Sequence, residues 1–95
     1  MYIFNDVVDF LDEIPVKDSA KIYANISSLD ENQIEGLVIK SIGEKIKEMI
    51  VKQYRIIFFY KNRVGYVVDA FKKQSQKTPQ RIIKRAEKIY KNIKN

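Results

Sequence analysis

The sequence predicts a small α+β protein: an N-terminal helical hairpin, a small antiparallel sheet and a C-terminal helix. Three observations lead there. Apolar residues recur every three or four positions up to Leu29 and again after Pro79, the period of helices that bury one side. Between them, Tyr54–Tyr60 and Val64–Phe71 are dense in aromatic and β-branched residues, as strands are. Polar or proline-containing breaks at Pro15, at residues 30–33 and at residues 74–78 separate these stretches. Ninety-five residues suit one domain, 1–95, with one modest core.

In chain order, Met1 to Phe4 reads as a short edge strand or hydrophobic lead-in. Asn5 or Asp6 is suited to cap a short helix whose apolar positions are Val7, Val8, Phe10, Leu11 and Ile14, and Pro15 stops it. A second helix is expected from about Lys17 to Leu29, with Ala20, Ile22, Tyr23, Ile26 and Leu29 on its apolar side. The pair forms an αα-hairpin. After Gly36 the period changes, and Lys45–Lys52 alternates loosely. Tyr54–Tyr60 is the strongest strand, Lys61-Asn62-Arg63 has hairpin length, and Val64–Phe71 follows, interrupted by Gly65. Thr78 as N-cap and Pro79 at the first helical position open the last helix. Ile82, Ile83, Ala86, Ile89, Tyr90 and Ile93 form its stripe.

Charge is sorted along the chain. Residues 1–39 carry two basic and eight acidic residues, a net of −6; residues 40–95 carry sixteen basic and four acidic, a net of +12. Solubility alone does not need such sorting, and a basic second half points to a polyanion-binding surface, set against the plainer reading of a lysine-rich solvated face. The longest apolar runs, such as Ile56–Tyr60, fall far short of the roughly 20 residues of a membrane helix. The N-terminus lacks the pattern of a signal peptide, so a soluble, cytoplasmic protein without membrane partners is expected.

The absent residues narrow the chemistry. Without histidine there is no imidazole acid–base catalysis or metal ligation, and without cysteine no thiolate or disulfide. The carboxylates cluster in the acidic half, so no metal is expected, and the three scattered glycines make no nucleotide-binding loop, so no cofactor is expected either. Basic and aromatic chemistry remains, in Lys47, Lys52, Tyr54, Arg55, Lys72, Lys73, Lys77 and Arg81. Strand alternation puts Gln53, Arg55, Ile57 and Phe59 on one side and Tyr54, Ile56, Phe58 and Tyr60 on the other. An arginine in such an apolar strand must reach solvent, pair with an anion such as Glu48, or serve a phosphate. Cations and a phenol can suffice to cleave RNA. The 2′-hydroxyl attacks the adjacent phosphorus, Arg and Lys stabilise the growing phosphoryl charge, and a lysine crowded by other cations can accept a proton. Tyrosine and guanidinium planes can hold bases by stacking. Composition alone does not choose cleavage over passive RNA binding.

Residues 42–86 resemble the phage-derived branch of the RelE/HigB toxins of type II toxin–antitoxin systems. The segments that carry the resemblance are Lys47-Glu48-Met49-Ile50, Tyr54-Arg55-Ile56 and, most specifically, Phe71-Lys72-Lys73-Gln74-Ser75-Gln76-Lys77-Thr78-Pro79; Asp9-Phe10-Leu11 before Pro15 also fits. The resemblance implies a RelE/ParE-like fold and a metal-independent, ribosome-dependent mRNA endoribonuclease that inhibits translation. It implies a cognate antitoxin, of the helix-turn-helix, HigA-like kind. By position, Arg55 would be the phosphate or transition-state cation, Lys73 and Lys77 the base and substrate-binding lysines, and Glu48 the residue that orients the sheet arginines. Lys47, Lys52, Tyr54, Lys72 and Arg81 would bind RNA, whereas Tyr90, on the apolar stripe, suits a core role better. The sequence departs from the family pattern at Ile50, where an arginine is expected, at Gln74, where a second lysine is usual, and at Asp69, where a histidine often stands. A non-nuclease toxin of the same fold, a ParE-like gyrase inhibitor, and a catalytically degenerate RNA- or protein-binding module are the alternatives.

Overall fold

The computed structural model describes residues 1–94. The chain runs β1 (Tyr2–Ile3), α1 (Asn5–Glu13), α2 (Val16–Asp30), β2 (Val38–Ser41), β3 (Lys47–Val51), β4 (Tyr54–Lys61), β5 (Val64–Lys72) and α3 (Gln80–Asn92). The five strands form one sheet in the order β1-β5-β4-β3-β2. Strands β2 to β5 are antiparallel neighbours, and β1 adds to the far edge in parallel with β5.

The two helical stretches read from the sequence form where expected. Pro15 separates them, because the residue before a proline is pushed out of helical backbone, and Ile14 is extended at φ −92° and ψ 165°. The cap of α1 differs: Phe4, not Asn5 or Asp6, holds that position. Its N–H donates to the Val67 carbonyl, and its own carbonyl accepts from Val7 and Val8, so the end of β1 leads directly into the helix. Strand β2 was not anticipated; it is short, lies between Gly36 and Gly43, and is half exposed. Its pairing with β3 supplies the order its composition does not announce.

The sheet has an apolar layer on each face. Helices α1 and α2 bring Val7, Leu11, Ile22, Ile26 and Leu29 against Met49, Tyr54, Ile56, Phe58 and Val67. On the opposite face, Ile82 and Ala86 of α3 cover Ile46, Ile57, Phe59 and Val68. The alternation along β4 is therefore the one its sequence predicts, with Arg55 on the α3 side and Tyr54 on the other.

Two local departures from regular pairing shape the α3 face. Ile57 pairs with Asp69 but Phe58 with Val67, leaving Val68 as the extra residue of a β-bulge. The bulge directs Asp69 to the α3 side, where it ion-pairs with Arg85. The β4–β5 hairpin turns on Asn62 and Arg63, both at positive φ (54° and 68°), as a two-residue turn matched to strand twist requires. Lys61 belongs to β4, and its ammonium donates to the carbonyls of Tyr90 (2.6 Å) and Ile93 (2.9 Å), closing the C-terminus of α3. Gly65 lies close to the Tyr60 ring and the flexible end of the Met1 side chain, 3.1 Å and 2.6 Å from where a Cβ would stand.

Candidate functional site

At the end of the α3 face, the sheet, the β5–α3 loop and the first turn of α3 enclose a groove of about 410 Å³. Its cations come from five elements. Lys40 is on β2, Arg55 on β4, Lys73 and Lys77 on the loop, and Arg81 on α3. Lys72, at the end of β5, also lines it. Glu48 and Asp69 are its carboxylates, and Ile50, Phe71 and Ile82 give it apolar walls. The N-terminus of α3 opens into the same space and adds the positive end of its peptide dipoles.

Arg55 is half buried, and its Nη1 donates to the carbonyls of Tyr54 (2.9 Å) and Lys52 (3.1 Å). A guanidinium has five N–H donors, so the rest of the fork remains for an anion in the groove. Of the three environments open to this arginine, the structure provides backbone carbonyls on one edge and the groove on the other. No ion pair between Glu48 and an arginine occurs among the described residues. The expectation that Glu48 orients the sheet arginines is thus corrected. Glu48 as a residue is only 5% exposed, and its carboxylate accepts the hydroxyl of Thr78.

That bond also explains how α3 begins. Thr78 was expected to cap the helix with Pro79 inside it; instead Pro79 is the cap residue and Gln80 the first helical one. With its hydroxyl directed to Glu48, Thr78 ties the loop to β3. At the other end of the loop, the Lys73 N–H donates to the Gln53 carbonyl at 2.7 Å. Within it, the Ser75 hydroxyl donates to the Lys77 carbonyl at 2.8 Å. The two loop lysines are carried on a segment fastened at both ends.

Asp69 sits among cations. Burial pushes its carboxyl above the usual aspartate range, while the Ala70 N–H (2.9 Å), Arg85 and Arg81 oppose the rise. Arg85 is largely engaged elsewhere: Nη1 donates to the Val68 carbonyl at 3.0 Å and lies 3.6 Å from Asp69, and Nη2 is 3.5 Å from Asp6.

The structure brings Arg55, Lys73 and Lys77 into one groove, with Lys72 and Arg81 beside them. It does not bring Lys47, Lys52 or Tyr54 there. Lys47 pairs across the sheet with Phe58 and faces the α1–α2 side. Lys52 is ion-paired with Asp18 at 2.8 Å. Tyr54 is 3% exposed, donates its hydroxyl to Asp18 at 2.8 Å, and meets the Phe10 ring edge-on. That bond raises the phenol above its ordinary range and, with the Lys52 bond, holds Asp18 below the carboxylate range. Tyr90 packs against Phe59 with ring centres 5.1 Å apart, under the Lys61 ammonium, in the core role its stripe position favours. Lys40 was missed because β2 was missed. The three positions that depart from the family pattern, Ile50, Asp69 and Gln74, all line the groove. Among the described residues, no group of three or more acidic side chains is placed to hold a metal ion, and no helix is long and apolar enough to cross a membrane.

A family model described as "Phage derived protein Gp49-like (DUF891)" matches residues 9–91. No curated protein matches the chain. Among solved structures, a chain of the RelB–RelE antitoxin–toxin complex from Methanococcus jannaschii is similar, with a TM-score of 0.67 and 14% identity. The match covers 99% of this chain and 100% of that one. At that identity the likeness is one of fold, and it agrees with the α+β, RelE-like architecture expected from the sequence.

Proposed function

This chain belongs to the phage-derived Gp49-like family, and we propose that it is the toxin of a toxin–antitoxin pair, a metal-independent endoribonuclease that cuts mRNA on the ribosome. The observation that carries this reading is the convergence of Arg55, Lys73 and Lys77 on one groove that Lys72 and Arg81 also line. A single strand laid there meets cations on opposite walls and apolar surface for its bases. The 2′-oxygen attacks the adjacent phosphorus as the bond to the 5′-oxygen breaks. Arg55 neutralises the phosphoryl oxygens, which gain charge in the transition state. One of Lys73 and Lys77 takes the proton of the 2′-hydroxyl, and the other binds the phosphate and gives a proton to the departing 5′-oxygen. In this reading residues 1–95 act as one domain of the HigB-like branch, in the cytoplasm, and a helix-turn-helix, HigA-like antitoxin is the partner.

The test is primer extension on a reporter mRNA in a purified translation system, with wild type and Arg55→Ala in parallel. New 5′ ends on ribosome-bound message are expected with wild type. Removal of a cation that stabilises transition-state charge should lower the rate about 10²–10³-fold. Intact message and undisturbed translation would reject the nuclease and leave a gyrase poison of the same fold or a binding protein.

A further inference from the structure

We propose that Asp18, which lies across the sheet from the groove, is a positioning residue for Arg55 and Lys73. It acts through the turn between β3 and β4. Three consecutive carbonyls of this turn bind two of the groove's basic residues. Those of Lys52 and Tyr54 accept from Arg55 Nη1, and that of Gln53 accepts from the backbone N–H of Lys73. The two outer residues of the same triplet are fastened from behind. The Lys52 ammonium donates to one oxygen of Asp18 and the Tyr54 hydroxyl to the other, both at 2.8 Å. One carboxylate on α2 therefore fixes the backbone to which both groove elements are bound.

The turn needs this outside support. Lys52 has φ +53°, in the left-handed region that lysine seldom adopts, and the turn contains no glycine or asparagine to favour that backbone. Asp18 is suited to give it. Its side chain is 13% exposed, it sits in the first turn of α2 where the helix dipole favours an anion, and the Phe10 ring keeps the Tyr54 ring in place. A carboxylate whose two oxygens each take a donor from the same turn restrains that turn more than an exposed ion pair would.

The consequence for cleavage rests on the proposed function; the consequence for Arg55 does not, and the experiment keeps the two apart. Asp18→Asn and Tyr54→Phe are compared with wild type and with Asp12→Asn, an exposed substitution on α1 that changes the charge alone. The first readout is the ¹H–¹⁵N spectrum, followed at the Arg55 side chain and the Lys73 amide. The second is single-turnover cleavage of ribosome-bound mRNA. In Asp18→Asn and Tyr54→Phe both signals should shift and broaden, with loss of hydrogen-exchange protection at Lys73. The maximal single-turnover rate should fall by about 10- to 100-fold with little change in the protein concentration that gives half of it, as expected for a displaced catalytic group. Asp12→Asn should match wild type. Should Asp18→Asn fail to fold, Tyr54→Phe keeps its ring in the core and reports on the same link. Unmoved Arg55 and Lys73 signals in Tyr54→Phe would overturn the proposal. Moved signals in a protein whose wild type leaves mRNA intact would uphold the positioning role and reject the nuclease instead.

Discussion

Asp69 and Asp18 show how one residue type takes opposite roles in one small protein. Burial raises Asp69, so its charged form is disfavoured in the folded state. Stability should therefore fall as pH rises from about the ordinary aspartate value, 3.8, through the higher folded value. Asp18 is lowered by Lys52 and Tyr54, so its contribution is complete above 3.8 and is lost as pH falls through the lower folded value. Thermal melts from acid to neutral pH should show this in two variants. Asp69→Asn should gain stability relative to wild type as pH rises, and Asp18→Asn should flatten the acid limb of the curve. An Asp69→Asn difference independent of pH would contradict the assigned environment. At this scale the sequence was partly legible. Alternation in β4 correctly separated Tyr54 from Arg55, yet Tyr54 was still expected to bind RNA, and its burial against Asp18 overturns that. That Glu48 would take the hydroxyl of Thr78 rather than an arginine was not legible, because the two are thirty positions apart and only the folded loop brings them together.

Among the elements, the β5–α3 loop matters most to the site, and its anchors set its shape. Thr78→Val keeps the β-branched shape but leaves the buried Glu48 carboxylate without its donor, which should cost about 1–3 kcal/mol. Thr78→Ser should recover most of it. Urea unfolding measures the difference, and an unchanged midpoint for Thr78→Val would show that Glu48 has no need of this partner. Elements that bury a full stripe, α1, α2, β4, β5 and α3, were legible from period and composition. Strand β1 was legible only as an edge strand or lead-in, and β2 was not legible at all, because each is short and largely exposed and gains its order from a neighbour's hydrogen bonds. The bulge at Val68 was equally silent in the sequence, since Val67 and Val68 look alike until each enters a different core layer.

Over the whole molecule, the charge sorting of the sequence becomes a sidedness. The acidic first half supplies α1 and α2 on one face, while the basic second half supplies the groove beside α3. Binding of a single-stranded RNA should accordingly weaken with salt, with a log–log slope of about −0.7 for each phosphate neutralised. Replacing Lys77 and Arg81 together by alanine should reduce the magnitude of that slope by about 1.4. Replacing Lys47, which faces the other side, should leave it unchanged. Fluorescence anisotropy with a labelled oligonucleotide over a salt series distinguishes the two. Equal effects from both faces would mean that the groove does not define the binding surface.

The parallel pairing of β1 with β5 also bears on how the chain assembles. Tyr2 meets Tyr66 and Ile3 meets Val67, so the first strand waits for a partner made long after it. Closing so long a loop carries an entropic penalty that later contacts must recover. Assembly should thus begin in the β3–β4–β5 meander, whose hairpins close over two-residue turns, and end with the docking of β1. During synthesis β1 is made before every other element of this sheet and finds its place among the last. The sheet cannot be completed before the ribosome has translated the codons for Tyr66 and Val67.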